Sequence, residues 1–206
     1  MKDVLDELAA AQRAMGKGSV PAGEAYTIEV RRRYQAQIDD VWDALTNPDR
    51  VRRWLRPVSG DLRLGGKFEL DGGEHGEILG CEPPRLLKVS WLYGADARPG
   101  ISEVEVRLVP GSTGDTEFEL IHSAFVDEPL FPTYGPGAGG VGWDLALLAL
   151  ARLLADGDSG NDEEPREFIR RSAAAWGEAH LAAGGEPAQV AAAVEATTRF
   201  YAPDVT

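Results

Sequence analysis

The segment from Val141 to Gly157, VGWDLALLALARLLADG, has the composition of a helix but is apolar around most of its circumference. Such a helix has no polar face to offer water, so other elements must surround it. Ahead of it lie five β-rich runs: LRLGGKFEL, GEHGEILGCE, RLLKVSWLYG, SEVEVRLVPG and DTEFELIHSAF. Gly-Gly, Pro-Pro, Pro-Gly and Gly-Ser-Thr-Gly-Asp breaks separate them, and short runs joined by tight turns make an antiparallel meander. A curved sheet is the element available to wrap the helix. The expected fold is therefore α+β of the helix-grip kind, an antiparallel sheet gripping a long helix over Val141 to Ala155.

Alternation within the runs assigns faces. Phe68, Leu70, Leu87, Val89, Trp91, Val104, Val106, Leu108, Phe118, Leu120 and His122 fall on the covered side, and Glu69, Lys88, Glu103, Glu105, Glu117 and Glu119 on the other. An earlier run, YTIEVRRRY, alternates in the same way and places Ile28, Val30, Arg32 and Tyr34 together. Between the two regions, Asp39 or Asp40 can cap a helix through Val41, Trp42, Ala44 and Leu45; Asn47-Pro48 ends it before a second turn from Asp49 to Leu55.

The flanks read as helical additions. Val4, Leu5, Leu8, Ala11 and Met15 recur at helical spacing, which predicts a helix ending at Gly16 and a linker from Lys17 to Gly23. After the polar break DSGNDEEP, two alanine-rich helices are split by Gly184-Gly185-Glu186-Pro187, where Gly closes one helix and Pro opens the next. The organisation expected is residues 1–23 as helix and linker, 24–156 as the helix-grip domain, and 157–206 as a helical hairpin. The hairpin buries little area by itself, so it should dock on the sheet domain or form a homodimer through the terminal helices.

Four phrases carry a resemblance: VWDALTNPDRVRRWLRP, LGGKFEL, GEILGCEPPRLLKVSW and GVGWDLALLALARLL. In this order they resemble the SRPBCC or START-like superfamily, and within it the activator of Hsp90 ATPase homologue 1-like (AHSA1-like) branch, over about residues 24 to 156. The tail resembles an extension seen in bacterial members. The resemblance implies a deep pocket between sheet and long helix in which relatives bind lipids, polyketides or other apolar molecules, and where a few perform cyclase or hydrolase-like chemistry. The Hsp90-activating function belongs to eukaryotic relatives with an additional domain that this chain lacks.

Charge narrows the partners. With 34 acidic against 21 basic residues and a formal net charge of -13, the average surface repels phosphates, which disfavours nucleic acid and anionic membranes. The longest apolar run, Leu145 to Ala151, is far short of the ~20 residues a membrane helix needs. Cys81 is the single cysteine and the N-terminus carries acids where a signal peptide needs an apolar stretch, so a cytoplasmic location is expected.

The candidate ligand-binding residues are Trp54, Phe68, Trp91, Phe118 and Trp143 as apolar walls, with Arg32, His122 and Tyr134 as polar intrusions. An inward arginine can hold a carboxylate bidentately, or pair with Asp144 or Glu77. His122 can act as an acid or base, against the plainer reading of a core histidine bonded to a backbone carbonyl. The loop GPGAGG reads as a gate beside the pocket. Three scattered histidines give no metal-ligand spacing, and no cofactor is expected. Three functions compete: binding a small apolar molecule, catalysis of a cyclase or hydrolase kind through His122 and Arg32, and protein interaction through the acidic surface and tail.

Overall fold

Alternating Val, Ile, Phe and Leu along the β-rich runs produce strands whose one face is apolar, and in the computed structural model these strands join into one antiparallel sheet. The structure describes residues 4–95, 97–125, 131–156 and 166–203. The strands are β1 Gln12–Val20, β2 Gly23–Tyr34, β3 Val58–Gly60, β4 Lys67–Leu70, β5 Glu74–Glu82, β6 Leu86–Ser90, β7 Leu92–Tyr93, β8 Ser102–Pro110 and β9 Thr116–Phe125. Their spatial order is β1-β2-β9-β8-β6-β5-β4-β3, with β7 paired to β5. On the outer face, Lys88 meets Glu103 at 2.7 Å and Arg31 meets Glu119 at 2.7 Å, so the residues facing away from the core form a charged lattice.

Among the described residues, seven helices cover the concave face and one end: α1 Val4–Ala9, α2 Ile38–Thr46, α3 Pro48–Trp54, α4 Phe131–Tyr134, α5 Gly137–Asp156, α6 Arg166–Ala182 and α7 Pro187–Tyr201. Gln37, not Asp39 or Asp40, precedes α2, and it makes no side-chain cap. Asn47 ends α2 and starts α3, where its side chain accepts from the Asp49 N–H at 3.0 Å. The long helix α5 buries Val141, Leu147, Leu150 and Leu153 in the main core. By length and composition alone Gly137–Ala155 is apolar enough to cross a membrane, with mean hydropathy 1.4. Its packing against sheet and tail is that of a core helix.

The N-terminal segment departs from its helical periodicity. The helix stops at Ala9, and Gln12–Val20, expected as the end of that helix and a linker, is instead a strand paired with β2 from Gln12 opposite Arg31 to Val20 opposite Gly23. The side chain of Arg13 helps terminate α1, since its Nη1 donates to the Leu8 carbonyl at 3.2 Å and to the Ala11 carbonyl at 3.0 Å. Two glycines, Gly16 and Gly18, make this stretch a poor helix, and an open edge of β2 offered it a ladder of backbone partners.

The glycine-rich segment is a second departure. Gly137 to Gly142 is not a gate but the first turns of α5, and its glycines seat the tail. A Cβ at Gly140 would lie 2.2 Å from Cε2 of Trp176 on α6, and one at Gly142 would lie 3.0 Å from Oη of Tyr201 on α7. The missing side chains let two helices approach the backbone of a third. Residues 126–130, ahead of α4, and the DSGNDEEP break over 158–165 lie outside the described residues.

Beneath this contact sits one buried carboxylate. Asp144 accepts Nε and Nη2 of Arg13 at 2.9 and 3.0 Å, the Ser172 hydroxyl at 2.5 Å and the Trp176 indole N–H at 3.0 Å. It therefore ties β1, α5 and α6 together, so the tail hairpin docks on its own chain.

Candidate functional site: an apolar cavity under α2 and α3

The inward side chains of β4, β5, β6, β8 and β9 do not meet α5 directly at this end of the sheet. They face α2 and α3, and the space between is a cavity of about 310 Å³. Leu45 from α2, Val51 from α3 and Leu55 just after it, Ile78 and Cys81 from β5, Val89 from β6 and Val104 and Val106 from β8 are among its walls. The long helix contributes only Trp143, so the cavity lies between the sheet and the α2–α3 pair rather than between the sheet and α5. Next to Trp143 on α5, Asp144 faces the other way and bonds Arg13 of β1 and Ser172 and Trp176 of α6.

Five of the candidate residues meet here. Trp54, Phe68, Trp91, Phe118 and Trp143 all line the cavity. Trp91 stands between Phe68 and Trp143, with ring centroids 6.2 and 5.1 Å away. None of the described lining residues carries a charge. Two of its indole N–H groups are already committed: Trp54 donates to the Ala44 carbonyl at 2.9 Å and Trp143 to His122 at 3.0 Å. The Thr46 hydroxyl likewise donates to the Trp42 carbonyl at 2.8 Å.

His122 lies behind this wall. Its Nδ1 accepts from the Trp143 indole, which can only donate, so the ring proton must sit on Nε2. Nε2 then donates to Oγ of Ser102 at 2.8 Å. The partners are side chains on α5 and β8 rather than the backbone carbonyl expected of a core histidine. The pair is also oriented the wrong way for nucleophilic catalysis, because a base that activates a serine must accept its proton. Burial pushes the His122 pKa down to about 4, so the ring stays neutral near pH 7.

Arg32 and Tyr134 are elsewhere. Arg32 is buried beneath α1, where Nη2 pairs with Glu7 and Nη1 donates to the Leu147 carbonyl at 3.4 Å. Its guanidinium carbon lies 4.6 Å from the Tyr34 ring centroid. The partner is therefore Glu7 of the N-terminal helix, not Asp144 or Glu77, and the arginine does not reach the cavity. Tyr134 packs against α7, its ring centroid 5.6 Å from that of Phe200 and its carbonyl accepting from Thr197 at 3.4 Å. Among the described residues, no three His, Cys, Asp or Glu side chains are grouped to hold a metal ion.

Residues 35–155 match the model of the family described as activator of Hsp90 ATPase homolog 1-like protein (AHSA1). The chain belongs to that family. The AHSA1-like match takes in every strand from β3 to β9, with α2, α3 and nearly all of α5, and so contains the whole cavity. CalU16 from Micromonospora echinospora is 40% identical, with TM-score 0.68 over 84% of this chain and 97% of its own. Protein MLL2253 from Mesorhizobium loti is 27% identical, with TM-score 0.54 over 64% of this chain and 98% of its own. At 18% identity, the Aha1 dimer from Colwellia psychrerythraea shares the fold, with TM-score 0.51 over 64% of this chain and 97% of its own. No curated protein matches the chain. Together these establish an AHSA1-like helix-grip fold of the SRPBCC kind.

Several lining residues of this AHSA1-like domain carry no signal as a site in the sequence. Trp42 is one helical turn from Leu45 and Thr46, so the i, i+3 and i, i+4 rule groups them on one face of α2 once that face is known to look inward. Leu62 comes from the loop after β3, where alternation offers no guide. Behind the wall, Ser102, which does not line the cavity, reaches His122 only through the register of β8 on β9, in which Val104 stands opposite His122.

Proposed function

We propose that this AHSA1-like protein binds one compact, uncharged, largely apolar molecule in the cavity under α2 and α3 and does not transform it. The observation that carries this reading is a cavity of about 310 Å³ whose described walls include six large aromatic rings and no charged side chain. That volume lies at the lower end of small-molecule sites, roughly 300 to 1,000 Å³, which favours a ligand of a few rings over a long-chain lipid. Burying such a molecule against apolar walls contributes about 25 cal/mol for each Å² removed from water. Catalysis has no support in the polar groups, since His122 is held neutral behind Trp143 with its proton directed at Ser102. The net charge of -13 points away from nucleic acid in the same way.

Titration with the neutral fluorophore N-phenyl-1-naphthylamine tests the reading. Saturable binding at one site per chain supports it, and so does loss of that binding in Val106→Trp, whose indole would occupy the cavity. Emission that rises linearly without saturation, or equally in both proteins, counts against it.

A further inference from the structure

The sheet ends in two edges of unlike character. At one, β3 is three residues long and Pro57 precedes it, which leaves a further strand little to pair with. At the other, β1 runs for nine residues in unbroken register with β2, without a bulge or a proline. Among the described residues β2 is its only strand partner, so the other side of β1 presents a row of backbone N–H and C=O groups. Gln12, Ala14, Lys17, Gly18 and Ser19 along it are exposed.

The side chains of this strand leave that row accessible. Arg13 and Met15 point to the core side, Arg13 to Asp144 and Met15 toward Gly137 at the start of α5. Alternation then places Gln12, Ala14, Gly16 and Gly18 on the outer face, where a Cβ at either glycine would meet Thr27 of β2. No acidic residue lies on β1, and Asp144 already neutralises Arg13. Lys17 is the remaining charge.

We infer that β1 is the interface of a homodimer, in which two copies pair antiparallel across a two-fold axis at Gly16 and join their sheets into one. One register uses the full length of the strand: Gly16 opposite the partner's Gly16, Ala14 opposite the partner's Gly18 and Gln12 opposite the partner's Val20. The small residues on the outer face let the two backbones meet without obstruction. The same register sets Arg13 across from the partner's Ser19 and Lys17 across from the partner's Met15. No two charges therefore stand opposite one another, and the Lys17 stem lies along an apolar chain. Nine residues paired in this way make roughly eight to ten backbone hydrogen bonds, about what a typical interface carries. The assembly closes at two copies, because each spends its long edge and β3 is too short to extend the sheet further.

Sedimentation equilibrium of the full chain tests the association. Its mass should rise with concentration toward twice the 22.2 kDa of one chain. Each copy carries a net charge of -13, so the two repel at a distance and added salt should strengthen the pairing. A single-chain mass at every concentration up to about 0.1 mM, or a dimer that salt dissolves, overturns the inference.

Disulfide capture tests the register. Gly16→Cys puts two thiols in directly opposed positions with Cα atoms about 4.5 to 5.5 Å apart, a span that a disulfide bridges. Ser19→Cys puts them roughly 20 Å apart along the ladder and should not link. Cys81 is common to both variants and cannot produce a difference between them. Equal yields in the two, or none in either, mean a different contact and overturn the inference.

Hydrogen exchange on the wild type needs no substitution. The outward amides of β1 should exchange more slowly as concentration rises, while those of β3 do not change. Slow exchange in the monomer at high dilution would mean that another part of the chain already covers the edge, and exchange that stays fast at every concentration would mean that nothing does. Either result overturns the inference.

Discussion

The indole N–H of Trp143 donates to Nδ1 of His122 at 3.0 Å, so a wall of the cavity is held in place by a histidine that must stay neutral. Protonated imidazole has two N–H groups and no acceptor, and acid therefore breaks this bond. The folded pKa is about 4 against an ordinary value of 6.5, which means that the unfolded chain binds the proton first as pH falls. The contribution of neutral His122 is complete above about pH 6.5 and is lost progressively toward pH 4, by about 2 to 3 kcal/mol over that window. Urea denaturation at pH 7, 5.5 and 4.5 should show this loss in the wild type, and His122→Gln should have a shallower slope. Parallel slopes would remove His122 as the cause.

Asp144 is the buried joint between the grip domain and its tail. Its side chain is 2% exposed and that of Arg13 is 8% exposed. Removing one partner of such a pair strands a buried charge, so Asp144→Asn should destabilise by about 3 to 5 kcal/mol. Replacing both residues with apolar side chains of similar size should cost less than the single change. A double-mutant cycle by chemical denaturation measures both values.

Two neighbouring glycines should respond in opposite directions. At Gly140 a methyl group would collide with the Trp176 ring at 2.2 Å, and Gly140→Ala should cost about 1 to 3 kcal/mol and loosen the tail. At Gly139 the nearest atom is Cδ1 of Ile28 at 3.6 Å, an ordinary contact. There, Gly139→Ala should gain about 0.5 to 1 kcal/mol from reduced backbone freedom in the unfolded chain. Paired thermal melts decide, and equal effects would mean that the tail does not rest on this seat.

Alternation along the runs of Val104, Val106, Phe118 and Leu120 was enough to assign the covered face, because one buried side imposes a period of two. The all-round apolarity of Leu145 to Leu154 was enough to require a surrounding sheet. What the sequence could not supply were relationships set by distant parts of the chain. Met15 belongs to a strand because β2 had an open edge, not because of its own neighbours. Arg32 shares a face with Val30 and Tyr34 as alternation says, yet its partner Glu7 comes from a helix whose docking site no local pattern encodes. The glycines before Trp143 read as freedom, whereas Trp176 and Tyr201 convert them into contact. The aromatic walls were legible for the same reason as the core, since a cavity wall and a core residue obey the same periodicity. The cavity itself depends on how α2 and α3 sit over the sheet, which no local pattern encodes.

The five tryptophan indole N–H signals give the most direct test of the central claim, that a neutral apolar molecule occupies the space under α2 and α3. Trp42, Trp54, Trp91 and Trp143 line that space, while Trp176 lies against Gly140 under the tail and serves as an internal reference. Nitrogen–proton correlation spectra recorded during a titration with 9-fluorenone should show saturable shifts of the first four resonances and a stationary Trp176. A spectrum in which the four stay still, or in which Trp176 moves with them, would contradict it.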